Sequence, residues 1–431
     1  MIKKNQTLLL LTLFLLNFVN ISTATQNRNV DIDRSSIPKN ILIGSFSGGR
    51  SHLKPMLDIA AILIERGYNI VLLTTGKYES SSEYPSVKQV SLGPQITLRD
   101  LKEDVHKEFD HKGLAKLVEI SVKLYNQTYE KYKNTAEEYN IDLFFCDYLI
   151  NEACLDIAHA LKKPVVGWTA ALQIMDSKPY KSDPIGLLLS PFLTQLNDIR
   201  KQINVEPNQV TFGKVPKEVS LALVDTFFGF ELPQSLPPNV QEIGPVISEE
   251  YSPLTPELSN FMNTHERVLY VAFGTIHFTT PENNNKILQS ILEAINKNMI
   301  DGVIWALVQT SKDDFYPTLN LTDGSTIQTS SILNNEHPHI HIVKFAPQFA
   351  ILNHTNTKLY FSHGGAGSTH ESLYTGTPML VLPFGADQMG NAQKLKIAGV
   401  ALSLSIYTLD VNDIINKMDH LLNKIAMNHR R

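Results

Sequence analysis

Residues 361–372 read FSHGGAGSTHES, with three glycines in four positions beside His363, the hydroxyls of Ser368 and Thr369, His370 and Glu371. The stretch is either a tight turn without a ligand or a cradle for a phosphate-bearing one. Glycines remove the side chains that keep an anion away from backbone amides. Amides at a helix start are unpaired and partly positive, so they favour such an anion. The usual phosphate-loop patterns do not fit, since no Lys follows and the third glycine position of the dinucleotide fingerprint holds His370. Elsewhere, His52 and Asp147 have the types needed for acid–base work. A histidine takes a proton, and a carboxylate behind it holds the ring's tautomer and stabilises the imidazolium. Each of the two could equally cap the helix that follows it.

These residues need elements to position them. Asn40–Phe46 (NILIGSF) is a continuous apolar run ending at glycine, as expected of a strand buried on both faces. A helical pattern follows in PMLDIAAILIERGY, with Pro55 early and Gly67 as its stop, and His52 falls in the loop before it. YNIVLLTT (68–75) is a second buried strand, and this spacing makes a βαβ unit of a parallel sheet. Leu98–Asn140 is charged and helix-like, IDLFFCD (141–147) is a strand, a helix spans about Glu152–Leu161, and PVVGW follows. The Pro-rich ELPQSLPPNVQEIGPV (231–246) marks a boundary. After it the alternation restarts with RVLYVAFG, GVIWALV, HIHIVKF, KLYFSH, PMLVLPF and VALSL, with helices between. The expectation is two parallel-sheet α/β domains facing a cleft, residues 36–245 and 266–431, joined by a linker at 246–265. Ligands in such sheets bind at the carboxyl ends of the strands.

The glycine stretch has company. FAPQ stands at 345–348 and PFGADQMGNA at 383–392, and the intervals from His363 to Glu371, Asp387 and Gln388 are those of one long signature. Together with SGGRSHLKPML, DLFFCDYLINEACLDIA, LPPNVQEIGPV and VLYVAFGT, it resembles the UDP-dependent glycosyltransferases of family 1. The resemblance implies a GT-B fold with the acceptor on the N-terminal domain and a nucleotide sugar on the C-terminal one. It implies an inverting transfer of glucose or glucuronic acid to a hydroxyl of a small lipophilic acceptor. His52 matches the family's base and Asp147 its partner. His363 and the amides around Gly365, Gly367 and Ser368 match the diphosphate site, with a further contact from Thr275. Phe345 and Gln348 belong to the base-binding stretch, Glu371 matches the ribose-binding acid, and Asp387 with Gln388 matches the pair that holds sugar hydroxyls. His370 has no assigned role. No metal is expected, since His363 and helix amides take a cation's place. The family usually has Trp where Phe345 stands, and many members have Asn at the position of Gly367.

The remaining features bound the setting. Of the 431 residues, 43% are apolar and 19% charged, with net charge −5 and no basic stripe for nucleic acid. Lys3 and Lys4, the apolar run Leu8–Val19 and the small residues after it predict a signal peptide over 1–24, too short to span a bilayer. The expected compartment is the ER lumen or the exterior, with possible glycan acceptors at Asn126, Asn320 and Asn353. Cys146 and Cys154 read as small buried residues and not as a bridge. HPHIH (337–341), alternating with Ile340 and Ile342, reads as a strand with one wet face and not as a metal site. Membrane-anchored members of the family continue beyond this point, whereas the sequence here stops at MNHRR. The expectation is a soluble luminal form or a shortened product with a weaker domain clamp. The alternative activity is a non-catalytic nucleotide-sugar-binding or partner protein of the same fold, against which the presence of both His52 and Asp147 argues. A sugar-nucleotide epimerase is disfavoured by the FAPQ and DQ spacing.

Overall fold

The computed structural model describes residues 39–46, 48–76, 84–94, 112–170, 184–207, 219–231, 236–248, 251–275, 277–385 and 387–428. The signal-peptide reading over 1–24 and the part of the helix-like region from 98 to 111 lie outside the described residues.

The first sheet comprises β1 (Asn40–Ser45), β2 (Asn69–Thr74), β3 (Lys88–Ser91), β4 (Leu143–Asp147), β5 (Val165–Thr169), β6 (Leu221–Val224) and β7 (Val240–Glu242), in the order β3-β2-β1-β4-β5-β6-β7. The second comprises β8 (Val268–Ala272) and β9 (Gly302–Ala306). A separate hairpin follows, β10 (Thr318–Asn320) with β11 (Thr326–Gln328). Then come β12 (Ile340–Val343), β13 (Thr357–Ser362), β14 (Met379–Val381) and β15 (Ala401–Ser403), and the second sheet's order is β12-β9-β8-β13-β14-β15. Every pairing within both large sheets is parallel.

Parallel sheets covered on both faces require apolar side chains on both, and the central strands supply them. On β1, Ile41 and Ile43 pack with Leu53, Met56 and Leu57 of the helix Arg50–Glu65. Leu42, pointing the other way, packs with Tyr125 and Tyr132 of the helix Lys112–Glu138. On β8, Leu269 and Val271 share a core with the helix Pro281–Asn296. Its Tyr270 and Ala272 join Leu258 and Met262 of the helix Pro256–Thr264, which lies between the two sheets in sequence. The strands of the first sheet absent from the sequence reading, β3, β6 and β7, are only three or four residues long and alternate or are half-exposed, so they carry no long apolar run.

Three expectations are corrected. The first helix begins at Arg50, ahead of Pro55, so His52 stands in its first turn and not in the preceding loop. Pro55, in the second turn, forfeits the bond that an N–H there would give to the Ser51 carbonyl. Cys146 and Cys154 are fully buried, as read, but they form a disulfide with Cα atoms 6.1 Å apart. The chain turns back from β4 into the helix Glu152–Ala160 and brings the two thiols together, which a spacing of eight residues does not reveal. His341 does not face water: it is buried, its ring 5.5 Å from that of Phe261. The helix Pro256–Thr264 covers that face of the edge strand, and His339 Nδ1 is 2.8 Å from the Asp301 carbonyl.

The two sheets are joined by side chains as well as by chain. Asp225, just past β6, lies 3.5 Å from His370 of the helix Ala366–Thr375, and both are buried. Phe227 and Phe230 pack their rings near His370. Glu231 pairs with Lys394 of the helix Asp387–Ile397 at 2.5 Å. His370, without a role in the sequence reading, is thus a strut of the joint between the two sheets.

Candidate active site

In each sheet the strand order reverses direction beside the first strand, between β1 and β4 and between β8 and β13. Connections leave to opposite sides at such a point, and a crevice opens at the carboxyl ends. Both sets of candidate residues sit there. His52 follows β1 and Asp147 ends β4, while Thr275 follows β8 and His363–Ser368 follows β13.

Asp147 is fully buried and accepts hydrogen bonds from Ser45 Oγ (3.1 Å) and the Leu149 amide (3.1 Å). Its Oδ2 lies 3.1 Å from His52 Nδ1, although the ring N–H is not aligned on it. Burial pulls the His52 pKa down, but the Asp147 carboxylate outweighs it and, with a smaller push from Asp387, leaves it raised. With Nδ1 turned to Asp147, Nε2 is the nitrogen left to accept a proton. The charge of Asp387 reaches His52 from the second sheet, so the pair and the candidate donor residues share one space.

The helix Ala366–Thr375 is capped by Gly365, and its first internal bond runs from the Thr369 amide to the Gly365 carbonyl at 2.9 Å. The amides of Ala366, Gly367 and Ser368 therefore have no partner within the helix. Ala366 gives its amide to Asp387, whose carboxylate also accepts from Asn391 Nδ2 at 2.9 Å. His363 packs against glycine backbone on two sides. A Cβ at Gly365 would lie 2.5 Å from its Nε2, and one at Gly274 would lie 2.7 Å from the same atom. Gly274 also has φ +77°, a conformation that other residues enter only with strain. Burial first, and then His277, pushes the His363 pKa down to about 3. A ring held so low is neutral near physiological pH and keeps one N–H.

Glu371 accepts from Gln348 Nε2 at 2.8 Å, and Gln348 also reaches Ser368 Oγ at 3.2 Å. The hydroxyl of Tyr360, on β13, donates to Gln348 Oε1 at 2.8 Å and completes a network that holds Glu371 in place. Burial raises the Glu371 pKa, opposed by Gln348 and by Lys54 and Arg50 of the first domain. Phe345 is 55% exposed, and the Arg50 guanidinium stands 5.4 Å from its ring centroid. The carbonyl of Thr275 accepts from Gln309 Nε2 at 2.8 Å.

Asp387 and Gln388 part company. Asp387 is exposed. Gln388 is 2% exposed, with Oε1 accepting from the Phe384 amide at 2.8 Å and Nε2 facing His277 at 3.2 Å. Contacts thus join His52 to Asp147, Gln348 to Ser368 and Glu371, and Asp387 to Ala366, whereas Gln388 is turned to His277. His277, Tyr360 and Gly274 are the members that the sequence reading passed over. Gly274 before Thr275 at a strand end was the one legible signal among them.

Gly367 has nothing within 4 Å of where a Cβ would stand. Gly367→Asn is expected to fold as stably as the parent and to lower the Kd for UDP about three- to tenfold through one added donor, the range of a typical net hydrogen bond. Isothermal titration with UDP checks it, and unchanged affinity would count against the diphosphate role that the resemblance implies for Gly367.

Comparison with known proteins gives the same picture. Residues 185–429 match the family model described as UDP-glucoronosyl and UDP-glucosyl transferase. UDP-glycosyltransferase 1 of Phaeomoniella chlamydospora is 30% identical over 345 residues, covering 74% of this chain and 69% of that protein. UDP-glucuronosyltransferase 2B15 of Homo sapiens is 25% identical over 245 residues, 56% of this chain and 42% of its own. Among solved structures, the glycotransferase of kitacinnamycin superposes with TM-score 0.65 at 16% identity, covering 90% of this chain and 91% of that one. CalG4, the calicheamicin glycosyltransferase, superposes with TM-score 0.61 at 17% identity, covering 91% and 92%. At these identities the solved structures speak for the GT-B fold alone. The family model and the Phaeomoniella relative carry the rest: the chain belongs to the UDP-glucuronosyl and UDP-glucosyl transferase family.

Proposed function

We propose that this glycosyltransferase moves a hexose, glucose or glucuronic acid, from a UDP-sugar to a hydroxyl of a small lipophilic acceptor, with inversion at the anomeric carbon. One observation carries the reading: His52, backed by Asp147 in the first domain, stands within charge range of Asp387 on the donor helix of the second. A base and a donor site on opposite sides of one crevice suit direct displacement. The acceptor oxygen attacks the anomeric carbon while its proton passes to His52 Nε2. The bond from that carbon to the β-phosphate oxygen breaks, and UDP leaves with the electron pair. Asp147 stabilises the imidazolium that forms. The His363 N–H and the amides of Gly367 and Ser368 face the charge that grows on the diphosphate, so no metal ion is required by this arrangement. Phe345 stacks on the uracil, Glu371 takes the ribose hydroxyls, and Asp387 takes a sugar hydroxyl.

The apolar acceptor follows the family resemblance, since the small recess near the end of β1 is lined by Ser121, Thr128, Asn151 and Glu152 as much as by Phe46, Tyr125, Ile150 and Ala153. Glu152 lies on its wall with a pKa pushed up to about 7 by burial. The disulfide supports a secretory compartment, where thiols oxidise. Asn126, Asn320 and Asn353 are all exposed, as glycan acceptors must be. Among the described residues no helix is long and apolar enough to cross a membrane.

The test is UDP release by the purified protein with UDP-glucose, UDP-glucuronic acid and other UDP-sugars, against phenol and sterol acceptors. Acceptor-dependent release with one preferred donor is expected. Tight UDP-sugar binding without acceptor-dependent release would replace this reading with that of a binding protein.

A further inference from the structure

Both helices that carry donor residues are tied to one short stretch of the first domain, residues 225–231 after β6. At one end Asp225 Oδ1 lies 3.5 Å from His370 Nδ1, a contact short of a hydrogen bond, and the same oxygen accepts from the Val246 amide at 2.8 Å. At the other end Glu231 meets Lys394 at 2.5 Å and accepts from Thr226 Oγ1 at 2.8 Å. Between them Phe227 and Phe230 stack with centroids 5.5 Å apart, and the Lys394 ammonium stands 5.4 Å from the Phe230 ring centroid.

Each anchor lies on a helix whose start belongs to the donor site. His370 is one turn into Ala366–Thr375, between Ser368 and Glu371. Lys394 lies two turns past Asp387, about 10 Å along the axis of Asp387–Ile397. The two helices are braced to each other at their starts, where Asn391 Nδ2 donates to the Gly364 carbonyl at 3.0 Å and to Asp387 Oδ2 at 2.9 Å. A short helix moves as one piece, so a shift at either anchor is carried to the donor side chains.

Burial of the ion pair narrows what it is for. The Lys394 and Glu231 side chains are only 8% and 7% exposed. Two charges taken out of water lose hydration that their attraction barely offsets, so such a pair adds little stability over apolar side chains of the same size. What it adds is direction. Ammonium and carboxylate meet in one arrangement, whereas apolar burial favours no orientation.

We propose that Asp225 and Glu231 are positioning residues for the transfer: through His370 and Lys394 they set the two donor helices at one register against the first domain, and so set the gap between His52 and the donor. The residues assigned to uracil, ribose and diphosphate all belong to the second domain, and neither Asp225 nor Glu231 is among them. The inference rests on the UDP-sugar reading above.

The test uses a triple variant, Thr226→Val with Glu231→Met and Lys394→Met, which makes the buried group wholly apolar. Beside it stand Asp225→Asn, which keeps an acceptor for the Val246 amide, and Lys394→Arg, which keeps the charge. The readings are thermal melting, Kd for UDP by isothermal titration, and kcat for UDP release with the preferred donor and acceptor. The triple variant is expected to fold and to bind UDP within about twofold of the wild type, while kcat falls about ten- to a hundredfold, the cost of a misplacement on the order of 1 Å. Asp225→Asn should lower kcat in the same direction at unchanged Kd, and Lys394→Arg should keep most of the wild-type rate. An unchanged kcat in the triple variant overturns the inference. So does a Kd for UDP that weakens as much as kcat falls, since the stretch would then merely support the nucleotide site. If the triple variant does not fold, Asp225→Asn decides by the same two readings. Wild-type protein that binds no UDP, or releases none with acceptor, overturns the UDP-sugar reading itself and this inference with it.

Discussion

Replacing His52 with Ala is expected to lower kcat by about 10²–10⁴-fold, the range that a positioned general base supplies. The Kd for the UDP-sugar should stay within about threefold of the wild type, since no donor contact is lost. The pH profile separates a base from a merely structural histidine. To accept the acceptor's proton the imidazole must be neutral, so kcat/KM falls as pH drops through the His52 pKa. Burial alone would put that limb below the ordinary histidine value, but the Asp147 carboxylate outweighs burial and raises it. Asp147→Asn removes the anion and leaves burial opposed only by the smaller push from Asp387. The variant should therefore lose rate, and its acid limb should move to lower pH. An acid limb that stays in place in Asp147→Asn, or full activity in His52→Ala, would remove the pair from the mechanism.

His363→Ala is expected to cost about 10²–10³-fold in kcat/KM, as loss of one donor to a developing oxyanion does elsewhere. Gly365→Ala should come close to it by a different route. Gly365 has φ −62° and ψ 154°, which alanine adopts freely, so the backbone is not strained. The added carbon would instead stand 2.5 Å from His363 Nε2, and the ring must turn out of its slot. The two variants should lose similar amounts of activity. Since the His363 pKa is pushed down to about 3, that ring should add no limb of its own to the kcat/KM profile near neutral pH. A Gly365→Ala protein of unchanged stability and unchanged activity would mean that His363 does not contact the leaving group.

Much of the fold could be read because parallel strands covered on both faces must be apolar throughout. NILIGS, NIVLLT and VLYVA announce themselves, and the helices between them follow from period and stop signals. The long intervals from Phe345 to Gln388 were legible through the family resemblance, and the fold adds that these residues follow successive strands of one sheet. What stayed hidden depended on partners remote in sequence. The short strands β3, β6 and β7 are defined by their neighbours and not by their own residues.

The order of the residues alone determined that two βα domains follow one another and which strand ends carry His52, Asp147 and the glycine turn, because alternation and spacing are local properties. Only the tertiary structure decided how those ends meet. It set β1 beside β4 and β8 beside β13, and that places His52 against Asp147 and His363 against Gly274. It closed Cys146 on Cys154, turned His370 into a strut against Asp225, and covered Gln388 with His277. Each of these outcomes rests on contacts and burial between segments that the chain's order does not bring together.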